Sequence, residues 1–184
     1  MIVKDRNSCR ELFNLYSGKV YNTVLNFLQN EQDAEDLTQE VFIEIFNSIS
    51  GFNGKSGLYT WIYRIAVNKS LEHLRKRKAK KRFGSIISVF SGDDMNPALK
   101  DFSHPGVLLE NKERVKILYT AIDKLPENQK SAYILSKFEE LSYSEISNVM
   151  KISIPAVESL LVRAKENLKK NLTNFYKKDR RFLK

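Results

Sequence analysis

Acidic residues are concentrated in one short segment of the chain, where they could bind either metal ions or a basic protein surface. Six carboxylates and no Lys or Arg lie between Glu31 and Glu44. Helical two-metal sites combine carboxylates with Glu-x-x-His pairs, and neither His73 nor His104 belongs to such a pair. Alternatively, the carboxylates could have no binding role. They would then lie on a solvent-exposed face of a helix and stabilise the positive end of its dipole, at the N-terminus. An acidic face repels DNA, so a macromolecular partner of this segment is expected to be a protein with a basic surface.

Basic residues are concentrated in a second segment, where they could bind phosphates. Seven of the eight residues from Arg75 to Arg82 are Lys or Arg. Like charges at this density repel one another and need counter-charge, although a solvated helix end is the alternative. The whole chain has 31 Lys and Arg against 22 Asp and Glu, a net charge of +9 that favours a polyanionic partner through counterion release. A phosphate-binding segment and a separate acidic segment indicate two different partners.

A third pattern, near the end of the sequence, is typical of a helix-turn-helix. Ser142 and Glu145 have the spacing of a capping box, and a turn at Lys151 leads to a second helix. Lys151 and Ser147 stand where many helix-turn-helices have a turn Gly and a small Ala, so some backbone strain is expected. In the second helix, Val157, Leu161, Ala164 and Leu168 form an apolar stripe. The other face is polar and mostly basic, as a major groove accepts: Glu158, Ser159, Val162, Arg163, Lys165, Glu166 and Lys169.

The elements that must position these residues are all helices. In the acidic segment Leu37, Val41 and Ile45 recur at four-residue steps, which predicts an amphipathic helix. No segment alternates convincingly as a strand. We therefore predict an all-α fold, with helices over residues 9–28, 33–49, 58–81, 108–124, 127–139, 144–150 and 155–174.

One segment interrupts the helical pattern and predicts a flexible linker. Residues 83–106 contain three of the seven Gly and two of the four Pro, and helical periodicity stops there. The predicted organisation is thus two small helical domains, 1–82 and 107–176, joined by the linker 83–106 and followed by a basic tail, 177–184.

Composition and missing motifs exclude several classes of protein. Cys9 is the only cysteine, so an internal disulfide is impossible. No apolar run reaches the roughly 20 residues that cross a bilayer, and Lys4, Asp5 and Arg6 stand where a signal peptide needs its apolar core. We expect a cytoplasmic protein without membrane insertion. No catalytic triad, Gly-rich phosphate loop or metal-ligand cluster is present, which predicts a protein that is not an enzyme and has no cofactor.

Two parts of the sequence resemble one known family. Bacterial sigma factors of the extracytoplasmic-function group have a region 2 that resembles FNGKSGLYTWIYRIAVNKSLEHL, at Phe52 to Leu74, and a polymerase-binding helix that resembles DAEDLTQEVF, at Asp33 to Phe42. Their region 4 is similar to the C-terminal LPENQ, LSYSEISNVMKIS and VESLLVRAKENL. The matches stand in the order and separation that the family has, and together they extend from about Glu11 to Leu172.

The resemblance implies a protein partner for the acidic helix. In the family this helix docks on the clamp coiled coil of core RNA polymerase, and the polymerase flap is a further contact. The family usually also has an anti-sigma factor that occludes the polymerase-binding faces. The implied clamp contacts are Asp33, Glu35, Asp36, Gln39 and Glu40.

The resemblance also implies two promoter contacts. The loop from Phe52 to Leu58 would receive a base flipped from the non-template strand at the minus-ten element, and Asn68, whose amide can recognise a base edge, would contact it. Trp61 is expected to serve packing of the core at least as much as contact with DNA. The implied minus-ten residues are Phe52, Lys55, Ser56, Tyr59, Trp61, Asn68, Lys69, Arg75, Lys76 and Arg77.

The second helix of the helix-turn-helix would contact the minus-thirty-five element in the major groove. Several relatives have Arg where this chain has Glu158. The Glu158 carboxylate can accept a hydrogen bond from a cytosine amine, but it repels phosphate. Arg163 and Lys165 are then expected to provide more of the contact. The implied residues are Glu158, Ser159, Val162, Arg163, Lys165 and Lys169.

The sequence thus predicts a sigma factor that binds core polymerase and directs initiation at promoters with both elements. The alternative is a free-standing helix-turn-helix regulator that binds duplex DNA without polymerase, at a palindromic site. A nuclease that uses the acidic helix is a third class, and only the number of carboxylates favours it.

Overall fold

The computed structural model describes residues 6–54, 56–91 and 112–178, with all side chains in these ranges except those of 81–91, 112–113 and 178. The predicted all-α fold is confirmed, and the described residues contain no strand. A single 3₁₀ turn lies at Ile49–Gly51. The α-helices are α1 Arg6–Leu28, α2 Glu31–Ser48, α3 Leu58–Ser91, α4 Lys112–Asp123, α5 Glu127–Lys137, α6 Tyr143–Met150 and α7 Ile154–Lys178.

The chain divides into two compact units. Among the described residues, the N-terminal unit comprises 6–50 and 65–91, and the C-terminal unit comprises 51–54, 56–64 and 112–178. This grouping places 51–64 with the C-terminal unit. Within the C-terminal unit, the Tyr63 hydroxyl donates to Glu139 Oε2 at 2.7 Å, and the Arg64 guanidinium donates to the Asn148 carbonyl. These two bonds tie residues of 51–64 to the rest of that unit.

The predicted linker and tail are described only at their edges. Helix α3 continues to Ser91, so the first residues of the predicted linker 83–106 are helical. Residues 92–106 and the end of the tail, 179–184, lie outside the described residues.

The core of the N-terminal unit forms where α1 packs against α2. Val24, Leu25 and Phe27 of α1 are fully buried, as are Val41 and Ile45 of α2. The buried residues of α2 recur at three- and four-residue steps, so the opposite side of the helix is left to solvent. Burial of one stripe therefore determines which face carries the carboxylates.

A side chain fixes the start of α2. Asn30 is the N-cap, and its Oδ1 accepts a hydrogen bond from the Asp33 backbone N–H at 2.8 Å. This bond satisfies one of the amides that the first turn of a helix leaves unpaired. Glu31 and Asp33 lie in that first turn, where negative charge is favourable.

The core of the C-terminal unit forms around α7, which packs against α4, α5 and α6. The predicted apolar stripe of α7 is confirmed, because Val157, Leu161, Ala164 and Leu168 are each at most 5% exposed. Side-chain hydrogen bonds orient α7 as well. The amide of Asn167 donates to Gln129 Oε1 at 2.8 Å, and that of Asn171 donates to the Ala121 carbonyl at 3.1 Å.

The helix-turn-helix has the predicted capping box. The Glu145 backbone N–H donates to Ser142 Oγ at 3.3 Å, and the Ser142 backbone N–H donates to Glu145 Oε2 at 2.8 Å. At the other end of α6, Lys151 adopts the left-handed conformation with φ 56°. The Ser147 hydroxyl donates to the Ile152 carbonyl and so closes the turn. The strain that the sequence predicts at Lys151 is present, and the serine provides a bond that Ala could not.

Replacement of Lys151 by Gly is expected to stabilise the protein by about 1 kcal/mol, because Gly adopts positive φ without the Cβ clash that strains other residues. The free energy of unfolding, from urea titrations followed by circular dichroism, measures the effect. Lys165→Gly is the matched control: in the interior of α7 the same change should destabilise by about 1 kcal/mol. Equal destabilisation by both changes would contradict the strain at Lys151.

Candidate nucleic-acid and protein interfaces

The outer face of α2 carries most of the predicted polymerase contacts. Glu35, Asp36, Gln39 and Glu40 are exposed, whereas Asp33 is half-buried. Ile43 lies one turn after Gln39 and is 59% exposed. This isoleucine was not among the contacts predicted from the sequence, although its position off the Leu37, Val41 and Ile45 stripe was a usable signal. The face therefore combines carboxylates with one apolar side chain.

Two of these carboxylates pair with cations that the sequence assigned to the minus-ten strand. Lys69 Nζ lies 3.8 Å from Glu40 Oε2, and Arg77 Nη1 lies 3.8 Å from Asp33 Oδ2. Arg77 Nη1 also donates to the Leu28 carbonyl at 3.5 Å, at the end of α1. The N-terminal unit thus brings together residues that were expected to serve different partners.

The remaining predicted minus-ten contacts of the N-terminal unit lie along α3. Asn68, Arg75 and Lys76 are exposed. Lys76 Nζ lies 2.7 Å from Glu72 Oε1, one turn earlier. The hydrogen bond and charge of Glu72 raise the pKa of Lys76, which stays fully charged at neutral pH. Cations of the basic run beyond Lys80 belong to the part of α3 whose side chains are not described.

The predicted flipped-base loop belongs to the C-terminal unit. Phe52 and Trp61 are half-buried and their ring centroids lie 5.4 Å apart. Gly54 has φ +70°, a conformation that other residues rarely adopt. Ser56 is half-buried, and Lys55 lies outside the described residues. The loop thus places two aromatic rings beside a left-handed turn.

Two tyrosines follow this loop at the start of α3. Their ring centroids, those of Tyr59 and Tyr63, are 4.3 Å apart. Tyr63 is 3% exposed and was not singled out in the sequence. Burial, then the contacts with Tyr59 and Glu139, raise the pKa of Tyr63, so its hydroxyl remains a hydrogen-bond donor at any physiological pH.

The outer face of α7 carries the predicted minus-thirty-five contacts. All six are exposed, and Val162 is 57% exposed although it is apolar. Glu158 and Val162 are one turn apart, so one face of the helix presents a carboxylate, a branched apolar group and the cations Arg163, Lys165 and Lys169. Such a face can accept a hydrogen bond from a cytosine amine and contact a thymine methyl. Its cations can donate hydrogen bonds to guanine edges or phosphates.

Across the described parts of the chain, no group of His, Cys, Asp and Glu is arranged to hold a metal ion. Within those parts no helix is both long and apolar enough to span a bilayer.

Comparisons with known proteins identify the family. A family model described as Sigma-70 region 2 matches residues 12–80, and one described as Sigma-70, region 4 matches residues 116–168. The RNA polymerase sigma-H factor of Pseudomonas aeruginosa is 34% identical over 161 residues, which is 85% of this chain and 82% of that protein. The ECF RNA polymerase sigma-E factor of Haemophilus influenzae is 31% identical over 167 residues, 89% of this chain and 88% of that protein.

Solved structures share the fold. CnrH in complex with the cytosolic domain of CnrY has a TM-score of 0.66 at 19% identity, with 92% of this chain and 90% of that chain covered. RpoE of Bartonella quintana, a sigma factor in complex with the anti-sigma factor NepR, has a TM-score of 0.65 at 20% identity, with 89% and 96% covered. Since both sigma-70 regions match and the curated relatives align over most of their length, this chain belongs to the sigma-70 family of RNA polymerase sigma factors, in its extracytoplasmic-function group.

Proposed function

We propose that this sigma factor binds core RNA polymerase through the outer face of α2 and directs it to promoters through α3 and α7. One observation supports this most directly. The chain matches both sigma-70 regions, and the residues implied as contacts on α2 and α7 lie on the outer face of each helix, all exposed except the half-buried Asp33. Like other members of its family it acts as a transcription initiation factor, and we propose that it acts in the cytoplasm.

The proposed mechanism uses binding energy alone. The carboxylates of α2 attach the subunit to a basic surface of polymerase, and α7 positions the complex on duplex DNA at the minus-thirty-five element. Phe52 and Trp61 of the C-terminal unit then bind bases of the melted non-template strand, which shifts the equilibrium towards the open duplex. Asn68 of the N-terminal unit contacts a base edge. Lys69, Arg75, Lys76 and Arg77 hold the strand's phosphates.

We also propose that an anti-sigma factor regulates the protein. RpoE of Bartonella quintana, which has the same fold, was solved with the anti-sigma factor NepR. An inhibitor that covers the outer face of α2 would prevent polymerase from binding.

Transcription by sigma-free core polymerase from a compatible bacterium, on a library of upstream fragments, tests the function. Specific transcripts are expected only when the purified chain is present, and alignment of their start sites should give a minus-ten and a minus-thirty-five element. Duplex binding at a palindrome without any effect on transcription would instead support a free-standing regulator, provided that the same core polymerase initiates with its own sigma factor.

Asp36→Arg should weaken core polymerase binding at least tenfold, because it replaces an exposed carboxylate at the centre of the proposed contact with a charge that the basic partner repels. Affinity of a fluorescently labelled chain for core polymerase measures the loss, and circular dichroism checks the fold. Glu11→Arg makes the same change of charge at an exposed position of α1 and should alter the affinity by less than about twofold. Equal affinities of the Asp36 variant and the unaltered chain would contradict the assignment.

Glu40→Gln should tighten binding of the isolated chain to a single-stranded minus-ten oligonucleotide by about threefold, since it releases Lys69 from a surface ion pair worth less than about 1 kcal/mol. Fluorescence anisotropy at low salt measures the change. Glu44→Gln is the matched control, because it removes the same charge from the same helix one turn away. Equal tightening by both variants would show a general effect of net charge rather than release of Lys69.

A further inference from the structure

A groove lies between α1 and α2 of the N-terminal unit, beside the carboxylates proposed to contact polymerase. Its volume is about 360 Å³, at the small end of the range for ligand pockets. Two of its lining residues, Glu35 and Gln39, belong to the proposed contact. The lining consists of Ser17, Gly18 and Tyr21 of α1 and Glu35, Thr38 and Gln39 of α2.

Gly18 keeps this groove open. It lies in the interior of α1, its φ is not positive, and a Cβ built on it would meet no atom within 4 Å. Neither backbone conformation nor internal packing therefore requires glycine there. A glycine in a helix interior lowers helix stability relative to Ala, so this residue weakens α1 at the same point where it leaves space for another molecule.

The chemistry of the groove favours a positively charged occupant. Its lining has one carboxylate and no basic side chain. Thr38 donates its hydroxyl proton to the Ala34 carbonyl at 2.6 Å, so it has no donor to offer. Glu35, Gln39 and the hydroxyl oxygens of Ser17 and Tyr21 all carry acceptors. Arg and Lys side chains are donors only, and they fit such a set.

Tyr21 adds a second source of attraction. Burial, and then the charges of Glu31 and Glu35, raise the pKa of its hydroxyl, so both carboxylates act on this side of the groove. The face of a tyrosine ring also attracts a cation, most strongly where water is partly excluded.

We propose that this groove receives one Arg or Lys side chain from the polymerase surface that docks on α2. The inference rests on the proposed function, and it extends the contact from one helix to two. It also gives the contact an open groove between two helices in place of a single helix face.

Filling the groove tests the proposal. Gly18→Leu should lower affinity for core polymerase about tenfold, because the leucine side chain occupies the space. The same change should raise or maintain the melting temperature, since Leu is a better helix former than Gly. Loss of binding in a protein that is at least as stable cannot come from unfolding. Asn14→Leu, which adds a leucine at an exposed position of α1 outside the groove, should change the affinity by less than about twofold.

A second variant tests the charge of the occupant. Glu35→Gln should lower the affinity and make it less dependent on salt, because one ion pair with the partner is lost. Unchanged affinity in Gly18→Leu, or an unchanged salt dependence in Glu35→Gln, would overturn the proposal.

The unaltered chain and Asp36→Arg are measured in the same series. If the unaltered chain does not bind polymerase, the proposed function fails. If it binds and Asp36→Arg does not, while Gly18→Leu binds normally, only the groove is wrong.

Discussion

The packing of α1 against α2 determines most of what the N-terminal unit presents to other molecules. Val24, Leu25 and Phe27 bury the inner stripe of α2, and this burial leaves Glu35, Asp36 and Glu40 no place except the surface. The crossing of the same two helices creates the groove, and the turn between them places the start of α2 near Arg77. A change in this packing would therefore alter all three features together.

Opposite charges lie very close together in this unit. Free in solution, Lys69 and Arg77 have carboxylates of the same chain as neighbours, Glu40 and Asp33. Exposed pairs of this kind contribute little to stability, at most about 1 kcal/mol each. Since polymerase and DNA are proposed to use opposite members of these pairs, occupation of one site lowers the cost of occupying the other, and this coupling must be equal in both directions.

The sequence was sufficient where periodicity and local chemistry decide the structure. The apolar stripe of α7 and the capping box at Ser142 were both predicted, because each depends on residues within one or two turns. The Asn30 cap is equally local and was missed, although an Asn before a helical pattern is a usable signal. The Asp33–Arg77 pair could not be predicted in the same way. The pair joins residues 44 positions apart in the sequence, and no local pattern specifies such a contact. The hydrogen bond from Tyr63 to Glu139 in the C-terminal unit joins residues that are even further apart, 76 positions.

The capping box of α6 also makes the stability of the helix-turn-helix depend on pH. Hydrogen bonds from Ser142 lower the pKa of Glu145 below its usual range. A carboxyl group with a lowered pKa in the folded state contributes stability above its unfolded pKa, and this contribution disappears as the pH falls through the folded value. The start of α6 is therefore insensitive to pH changes around neutrality, and it loses its cap only in acid strong enough to titrate a hydrogen-bonded glutamate.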